Sequence, residues 1–462
     1  MNVLLIYPFS GTWAVAPQRP LHSGGYVPPL GILYLAQILE QEGHDVDVLD
    51  CAAEGTPPEK ILPKLASYDA VGMTIYSNPE DLRTTADLVN SIKDQDPSLP
   101  IILGGPHCTL LPKHTLETHR ADICVQGEAE FRIANILKAV QGKQELNTIA
   151  GIAYRTENTI HVTEPVTQIE DLNQLPFPAR HLVEKYEYGF MHGVKIAQGK
   201  VTSVLTSRGC PFHCRYCQIS SILPNYRFRS SDNVIAEIDN LVNKGYQTII
   251  FVDDNFLAHK KRALAIMDHI IEQNYELHLW IEGARVDSAD RELYTKLRQA
   301  GVEFITFGIE SGNQDVLDFY NKKTTLEQIK KAITLSKEMG FFVYANFMLG
   351  APLETKHHLI NTIRFAKKLP IDAAGFFVLG YLYGSDLWEE AVKKGLIQPD
   401  EYYVTVDSRR GIGNFTEQDL NTYAMKAYKQ FYMRPSLWIK QILHACKTHN
   451  SSFLKLGMSM LR

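Results

Sequence analysis

Twice along this 462-residue chain, short apolar runs alternate with stretches of helical periodicity, and that alternation limits the fold more than any other feature. Over residues 1–140, apolar runs at 2–7, 45–50, 70–75, 100–104 and 123–125 are separated by helical patterns near 30–42, 58–67, 80–95 and 130–140. Five strands with helical connections predict a doubly wound sheet whose ligand crevice lies at the carboxyl ends of the strands. Over residues 201–385, strands are expected near 202–206, 248–252, 279–282, 304–308, 342–348 and 374–379. Helices are expected between them near 232–244, 260–273, 290–299, 325–339 and 355–368. Such alternation means parallel α/β, and six βα units are too few for a closed eight-stranded barrel. The first connection, Pro8 to Pro29, runs 22 residues. Connections of about 2–6 residues are usual, so this loop is expected to be functional.

Composition removes other classes. The 45% hydrophobic and 21% charged content is ordinary for a globular chain. A net charge of −5 gives no electrostatic case for nucleic acid. No apolar run reaches the roughly 18 residues of a membrane span. The start, Met1-Asn2-Val3-Leu4-Leu5-Ile6-Tyr7-Pro8, lacks a basic leader region and reads as a first strand, so a cytoplasmic protein is expected. Neither a Gly-x-Gly-x-x-Gly after the first strand nor a Walker loop is present, which disfavours nucleotide cofactors.

Seven cysteines spread over so long a chain make no disulfide framework. Cys51, Cys108, Cys124 and Cys446 stand alone and are expected to be small buried hydrophobes. The other three crowd into Cys210-Pro-Phe-His-Cys214-Arg-Tyr-Cys217, just after the apolar run Val204-Leu205-Thr206. They therefore sit on a loop at the carboxyl end of a strand, where parallel barrels place their chemistry. Zinc would need a fourth ligand, with His213 the nearest candidate. An iron–sulfur cluster would take three thiolates and leave one iron open.

The Cys-x3-Cys-x2-Cys spacing with Tyr216 before the last cysteine resembles the signature of radical S-adenosylmethionine (SAM) enzymes. The resemblance implies a partial (β/α)6 barrel and a 4Fe-4S cluster on Cys210, Cys214 and Cys217. Polar residues recur at the strand ends: Asp253-Asp254-Asn255, Glu282-Gly-Ala-Arg285, Glu310-Ser311-Gly312 and Asn346-Phe-Met-Leu-Gly350-Ala-Pro352. By resemblance, Tyr216, Asp254, Arg285, Glu310, Ser311, Asn346 and Gly350 hold SAM. Tyr216 and the Gly350 segment would meet the adenine, Arg285 the methionine carboxylate, and Glu310 and Ser311 the ribose or methionine groups. The plainer reading is that Asp253, Asp254 and Glu310 only cap the helices that follow.

The amino-terminal part carries a second resemblance. Pro28-Pro29-Leu30-Gly31 opens the first helix, and Ser77-Asn78 follows the third strand. Gly104-Gly105-Pro106-His107 follows the fourth strand, and Gly127-Glu128 the fifth. In this order, ahead of the cysteine trio, they resemble the flavodoxin-like cobalamin-binding domain of cobalamin-dependent radical SAM proteins. The resemblance implies cobalamin bound by Pro29, Leu30, Gly31, Ser77, Asn78, Gly104, Gly105, Pro106, His107, Gly127 and Glu128. No histidine has an aspartate two residues before it, so His107 is a poor candidate for an axial cobalt ligand.

The expected organisation is thus a cobalamin domain (1–140), a linker with a small hairpin (141–200), the barrel (201–385) and a small, mainly helical extension (386–462). The resemblance implies an enzyme, a C-methyltransferase acting on an unactivated carbon through a 5′-deoxyadenosyl radical and methylcobalamin. The alternative uses the same cofactors for cyclisation, ring contraction or rearrangement. A small-molecule or lipid-like substrate and an external electron donor such as a flavodoxin or ferredoxin are implied. Residues 420–462 hold seven Lys or Arg and no Asp or Glu. This stretch is either a helical cap on the barrel or a peripheral membrane contact.

Overall fold

The computed structural model describes residues 1–8, 24–55, 61–157, 159–448 and 451–460. Contacts divide the chain into two units, Met1–Tyr188 with Ser221–Pro224, and Gly189–Ser220 with Asn225–Arg462.

In the first unit, β1 (Asn2–Tyr7), β2 (Asp45–Asp50), β3 (Ala70–Thr74), β4 (Ile101–Gly104) and β5 (Ile123–Val125) pair in parallel, in the order β2-β1-β3-β4-β5. Val3 to Ile6 and Ile101 to Leu103 are buried, because helices cover both faces of a doubly wound sheet. Those helices are α1 (Leu30–Gln41), α2 (Cys51–Glu54), α3 (Pro79–Gln95), α4 (Pro106–Leu110), α5 (Pro112–Thr118) and α6 (Ile133–Val140). The topological switch lies between β1 and β3, so the crevice opens beyond Tyr7 and Thr74. The helix expected near 58–67 is a 3-10 turn, Leu62–Ser67, and residues 56–60 lie outside the described ones. Residues 9–23 of the long first connection also lie outside them.

One boundary needs correction. The hairpin assigned to a linker, β6 (Ile152–Thr156) and β7 (Thr159–Val162), pairs antiparallel onto β5 and completes a seven-stranded sheet. Ile152, Ala153 and Tyr154 are buried there. Without them the three-residue β5 would be a bare edge.

The second unit opens with a small hairpin, β8 (Phe190–Met191) and β9 (Val194–Lys195), so it begins before residue 201. Next come β10 (Val201–Val204), the short pair β11 (Ser207–Arg208) and β12 (Arg227–Phe228), and between these α7 (Ile219–Ile222). The strands β13 (Thr248–Phe251), β14 (His278–Ala284), β15 (Val302–Glu310), β16 (Phe342–Leu349) and β17 (Ala373–Val378) then pair in parallel with β10, in chain order. The connecting helices are α8 (Ser231–Asn243), α9 (Lys260–Glu272), α10 (Arg291–Gln299), α11 (Gln314–Phe319), α12 (Leu326–Glu338) and α13 (Lys356–Lys368). All six strands lie where the apolar runs predict.

The segment after the barrel forms β18 (Gly380–Leu382), which pairs with β19 (Tyr403–Thr405), with α14 (Asp386–Lys393) between them. A Cβ on Gly380 would stand 2.8 Å from the Tyr403 ring, so glycine is required by this packing. Then follow α15 (Glu417–Tyr432), α16 (Pro435–Thr448) and α17 (Ser452–Ser459). The ring of Phe453 on α17 stacks 4.1 Å from that of Phe342, near the start of β16, so part of the extension caps the barrel. The open edge of β17 is closed differently. Phe376 N–H donates to the Tyr428 hydroxyl (3.1 Å), and Ala374 N–H to that of Tyr432 (3.0 Å), which donates back to Ala374 O (2.9 Å). Tyr428 and Tyr432 are four residues apart on α15, so one helix face meets alternate edge amides.

Candidate active site

The three clustered cysteines follow β11 and are partly buried. Their loop is anchored at its root by Asp253, at the end of β13. The fully buried Asp253 carboxylate accepts from Thr206 N (3.1 Å) and Thr206 Oγ1 (2.7 Å), and from Ser207 Oγ. Arg262 donates to Thr206 O (2.7 Å) and Arg229 to Leu205 O (3.0 Å). Asp253 therefore does not cap a helix: His259 caps α9 and Asn313 stands at the N-cap of α11. Beyond the root, Cys217 N–H donates to Cys214 O (3.0 Å). Arg215 N–H donates to Tyr320 O (3.0 Å), and Asn321 to His213 O (2.7 Å).

Burial raises the Cys210 thiol, and pushes that of Cys217 up to about 12; nearby Asp254 and the other thiols add to this. Three mutually repelling sulfurs on one loop suit a polynuclear cationic centre that would discharge them. Among the described residues, no three His, Cys, Asp or Glu side chains are close enough to hold a single metal ion. Three thiols on one loop are the donor type that an iron–sulfur cluster takes.

The strand ends around the loop carry the residues expected to hold SAM. Glu310 ends β15 with φ +69°, and its Oε1 accepts from Lys322 Nζ (2.7 Å) and the Tyr216 hydroxyl (2.9 Å). Burial and the Glu310 charge raise the Tyr216 pKa well above its usual value, so the phenol stays protonated as the donor. Arg285 lies beside the cysteines. Its Nη1 is 3.9 Å from Cys214 Sγ, and its guanidinium sits 3.6 Å from the Phe212 ring centroid and pairs with Asp287 (2.9 Å). Asp254 remains accessible although protein packs around it. That packing, with the Asp253 charge, pushes its pKa up to about 6. Asn346 Oδ1 is buried without a hydrogen-bond partner among the described residues and faces Gly375 on the neighbouring strand, where a Cβ would stand 2.8 Å away. An orphaned acceptor in this position fits a ligand that brings its own donor.

Two members of the SAM set are corrected. The Ser311 hydroxyl accepts from Asn313 N–H (3.2 Å) and lies 3.2 Å from Thr362 Oγ1, so it holds its own turn. Gly350 and Ala351 N–H both donate to Glu354 (2.6 and 2.9 Å), and a Cβ on Gly350 would meet Leu420 of α15 at 2.8 Å. Positive φ (+111°) and the closeness of Leu420 account for glycine at position 350 without a ligand.

In the first unit, the carboxyl end of the sheet is furnished differently. The rings of Tyr7 and Tyr76 meet edge to face 6.4 Å apart at the switch point. Ser77 Oγ, Asp81 Oδ1 and Thr85 Oγ1 are buried and have no hydrogen-bond partner among the described residues. Among the described residues, a Cβ on Gly104 or Gly31 would meet nothing within 4 Å, leaving room beside the backbone. Spare polar atoms and bare backbone fit a bulky ligand edged with amides, as cobalamin is. Pro29 stands at the N-cap of α1, Leu30 is buried, and Pro106 opens α4.

Four of the expected cobalamin residues have local duties. Asn78 caps α3 and donates to Asp81. Gly105 (φ +102°) would clash with Thr74 Oγ1 at 2.6 Å if it had a Cβ. Glu128 accepts from Ile169 N–H (2.7 Å), and Gly127 donates to Thr109 Oγ1 (3.0 Å). His107 is fully buried, its ring edge-on to that of His114, and desolvation lowers its pKa to about 3. Cys51, Cys108 and Cys124 are buried as expected, whereas Cys446 is exposed. Sequence reasoning missed Lys322, Phe212, Tyr7 and Tyr76.

Two family models match the chain, the Radical SAM superfamily over residues 204–366 and the B12 binding domain over residues 21–137. An uncharacterised methyltransferase of Pyrococcus horikoshii is 31% identical over 453 residues, which cover 96% of this chain and 95% of that one. The anaerobic magnesium-protoporphyrin IX monomethyl ester cyclase of Rubrivivax gelatinosus is 29% identical over 94% of this chain and 78% of its own. In fold, the radical SAM methyltransferase TsrM from Kitasatospora setae, solved with cobalamin and a 4Fe-4S cluster, matches with a TM-score of 0.68. It does so at 19% identity, over 85% of this chain and 75% of that one. The cobalamin-dependent SAM radical enzyme OxsB matches with a TM-score of 0.70 at 17% identity, over 97% of this chain and 71% of that one.

Proposed function

This chain belongs to the cobalamin-dependent radical SAM enzymes, and from that premise we propose that it is a C-methyltransferase acting on an unactivated carbon of a small molecule. The observation that carries the reading is the presence in one chain of two strand-end sites: a braced three-cysteine loop, and a crevice with room beside Gly104 and spare polar atoms. Methyl transfer is favoured because the Pyrococcus relative, matched over 95% of its own length, is named a methyltransferase, whereas the Rubrivivax cyclase is matched over 78% of its own.

When bound, the cluster supplies the electron that splits SAM, and cobalamin carries the methyl group that is transferred. Cys210, Cys214 and Cys217 would hold the cluster, and Arg285 supplies positive charge beside Cys214. Glu310, fixed by Lys322 and Tyr216, would orient SAM, with Asp254 just beyond β13 and Asn346 within β16. Ser77, Gly104 and the Tyr7–Tyr76 pair would line the corrin crevice. The electron comes from an external flavodoxin or ferredoxin.

Anaerobic purification with cobalamin supplied, followed by iron and corrinoid assay, tests this. About four irons and one corrinoid per chain are expected, the iron being lost when Cys210, Cys214 and Cys217 are all replaced by Ala. Iron without corrinoid removes the methyl-transfer reading. A product lacking the added CH2 would instead favour the alternative of cyclisation or rearrangement, the activity named in the Rubrivivax relative.

For location, no helix among the described residues is long and apolar enough to cross a membrane. Peripheral contact is supported by Ile439, Ile442 and Leu443 of α16, which are 59%, 48% and 63% exposed in a stretch without acidic residues. Such contact would suit a lipid-like substrate. Co-sedimentation with anionic vesicles should fall for an Ile439→Glu, Leu443→Glu variant, and equal partitioning would refute it.

A further inference from the structure

Between α11 and α12 the chain makes a tight turn, residues 319–323, in which Asn321 and Lys323 take positive φ (52° and 54°). Three carbonyls of this turn and the side chains of Asn321 and Lys322 are spent on the cysteine loop or on the charged residues beside it. Phe319 O accepts from Arg215 Nη1 (3.2 Å) and Tyr320 O from Arg215 N (3.0 Å). Asn321 Nδ2 donates to His213 O (2.7 Å). Lys322 reaches two ways: its carbonyl accepts from Arg285 Nη2 (2.6 Å), and its Nζ donates to Glu310 Oε1 (2.7 Å) and the Tyr216 hydroxyl (3.2 Å).

The other side of this contact is strained to meet it. Glu310 holds φ +69° without being glycine, at a break in the register of β15 against β16. Two residues earlier, a Cβ on Gly308 would stand 2.5 Å from Glu310 Oε1 and 3.0 Å from Lys322 Nζ. Glu310 and Lys322 are 7% and 6% exposed, so both charges are paired away from water. A buried ion pair is a poor way to gain stability, since an apolar pair of the same volume does as well or better. Backbone strain that neighbours over-determine is characteristic of functional sites.

We propose that Lys322 is a positioning residue that sets the register between the cysteine loop and the strand ends that take SAM. By fixing Glu310 and Tyr216 through its ammonium and Arg285 through its carbonyl, it holds the carboxylate, the phenol and the guanidinium in one arrangement before SAM arrives. Removing the ammonium frees Glu310 to turn away, so SAM loses its alignment while the thiols keep their iron.

This rests on the SAM reading above, and the experiment separates the two. The anaerobically reconstituted holoenzyme is compared with Lys322→Met, Lys322→Arg, Tyr216→Phe and, as a neighbouring exposed control, Lys323→Met. Three quantities are read: iron per chain, equilibrium SAM affinity, and the change that SAM produces in the EPR spectrum of the reduced cluster. Lys322→Met should keep wild-type iron, lose at least about tenfold in SAM affinity and show a diminished SAM-induced spectral change. Lys322→Arg should recover part of the affinity, Tyr216→Phe should lose about threefold because only a hydroxyl goes, and Lys323→Met should match wild type. SAM affinity within twofold of wild type in Lys322→Met overturns the proposal, as does loss of iron or of folding in that variant, which would make the lysine a support of the fold. A wild-type holoenzyme that binds iron but no SAM would overturn the SAM reading itself.

Discussion

The two strand-end sites of this molecule are built on opposite principles. At the barrel mouth, charged side chains meet their partners within the protein: Asp253 with Thr206 and Ser207, Glu310 with Lys322, Arg285 with Asp287. At the carboxyl end of the doubly wound sheet, a Cβ on Gly104 would meet nothing within 4 Å, and the buried Ser77 and Thr85 hydroxyls find no hydrogen-bond partner, among the described residues. A bare buried charge costs far more than an unmet hydroxyl, so a site for charged chemistry must be paired in advance, whereas a site for a large amide-edged ligand can wait for it. The barrel mouth is organised before ligand arrives, and the crevice is completed by it.

The largest expected effect comes from breaking the pre-paired side. Asp253→Ala leaves the Thr206 and Ser207 donors unmet and the Arg262 charge uncompensated in the interior. Stability should fall by about 3 kcal/mol, with iron content falling too, read by thermal denaturation and iron assay. Retention of both would mean that the cysteine loop does not depend on its anchor. Next is Gly104→Val on the waiting side. Its Cβ meets nothing within 4 Å among the described residues, so the apoprotein should stay within about 0.5 kcal/mol of wild type while corrinoid retention on gel filtration drops severely. A destabilised apoprotein would show that the space is already used.

The smallest effect is electrostatic. Burial raises the Asp81 pKa from 3.8 to about 6. Folding therefore takes up a proton between those values, and stability declines as pH climbs from 3.8 to about 6. A full shift of that size corresponds to about 3 kcal/mol, and solvent screening at this partly covered carboxyl reduces it, so Asp81→Asn should gain the corrinoid-free chain about 1 kcal/mol above pH 6 and nothing below pH 4. Equal pH profiles for variant and parent would mean that the crevice tolerates the charge.

Regular periodicity made the scaffold readable. Strands β13 to β17 and helices α8 to α10, α12 and α13 fall within a few residues of their apolar runs and helical patterns, because burial on a sheet leaves a repeating trace. The cysteines were readable because their spacing is local. Lys322 was not: it sits in an aperiodic turn, and its partners are 12 and 106 residues away in sequence, brought near by positive φ at Glu310, Asn321 and Lys323. Gly105 and Gly350 were misread for a related reason. Their glycine character answers to positive φ (+102° and +111°) and to the closeness of Thr74 and Leu420, neither of which is visible until the chain is packed. The β6–β7 hairpin was set aside as linker because its short strands carry little apolar signal, although their pairing completes the first sheet.

The two tyrosines of α15 bear on how the chain comes to be folded at all. Synthesis yields β17 some fifty residues before Tyr428 and Tyr432. Until α15 emerges, the nascent barrel presents a row of unsatisfied edge amides able to recruit a strand from another chain. The helix is thus a closing latch as well as a cap. Truncation upstream of it, or replacement of both tyrosines by phenylalanine, should show first as aggregation during expression, before any loss of cofactor is seen.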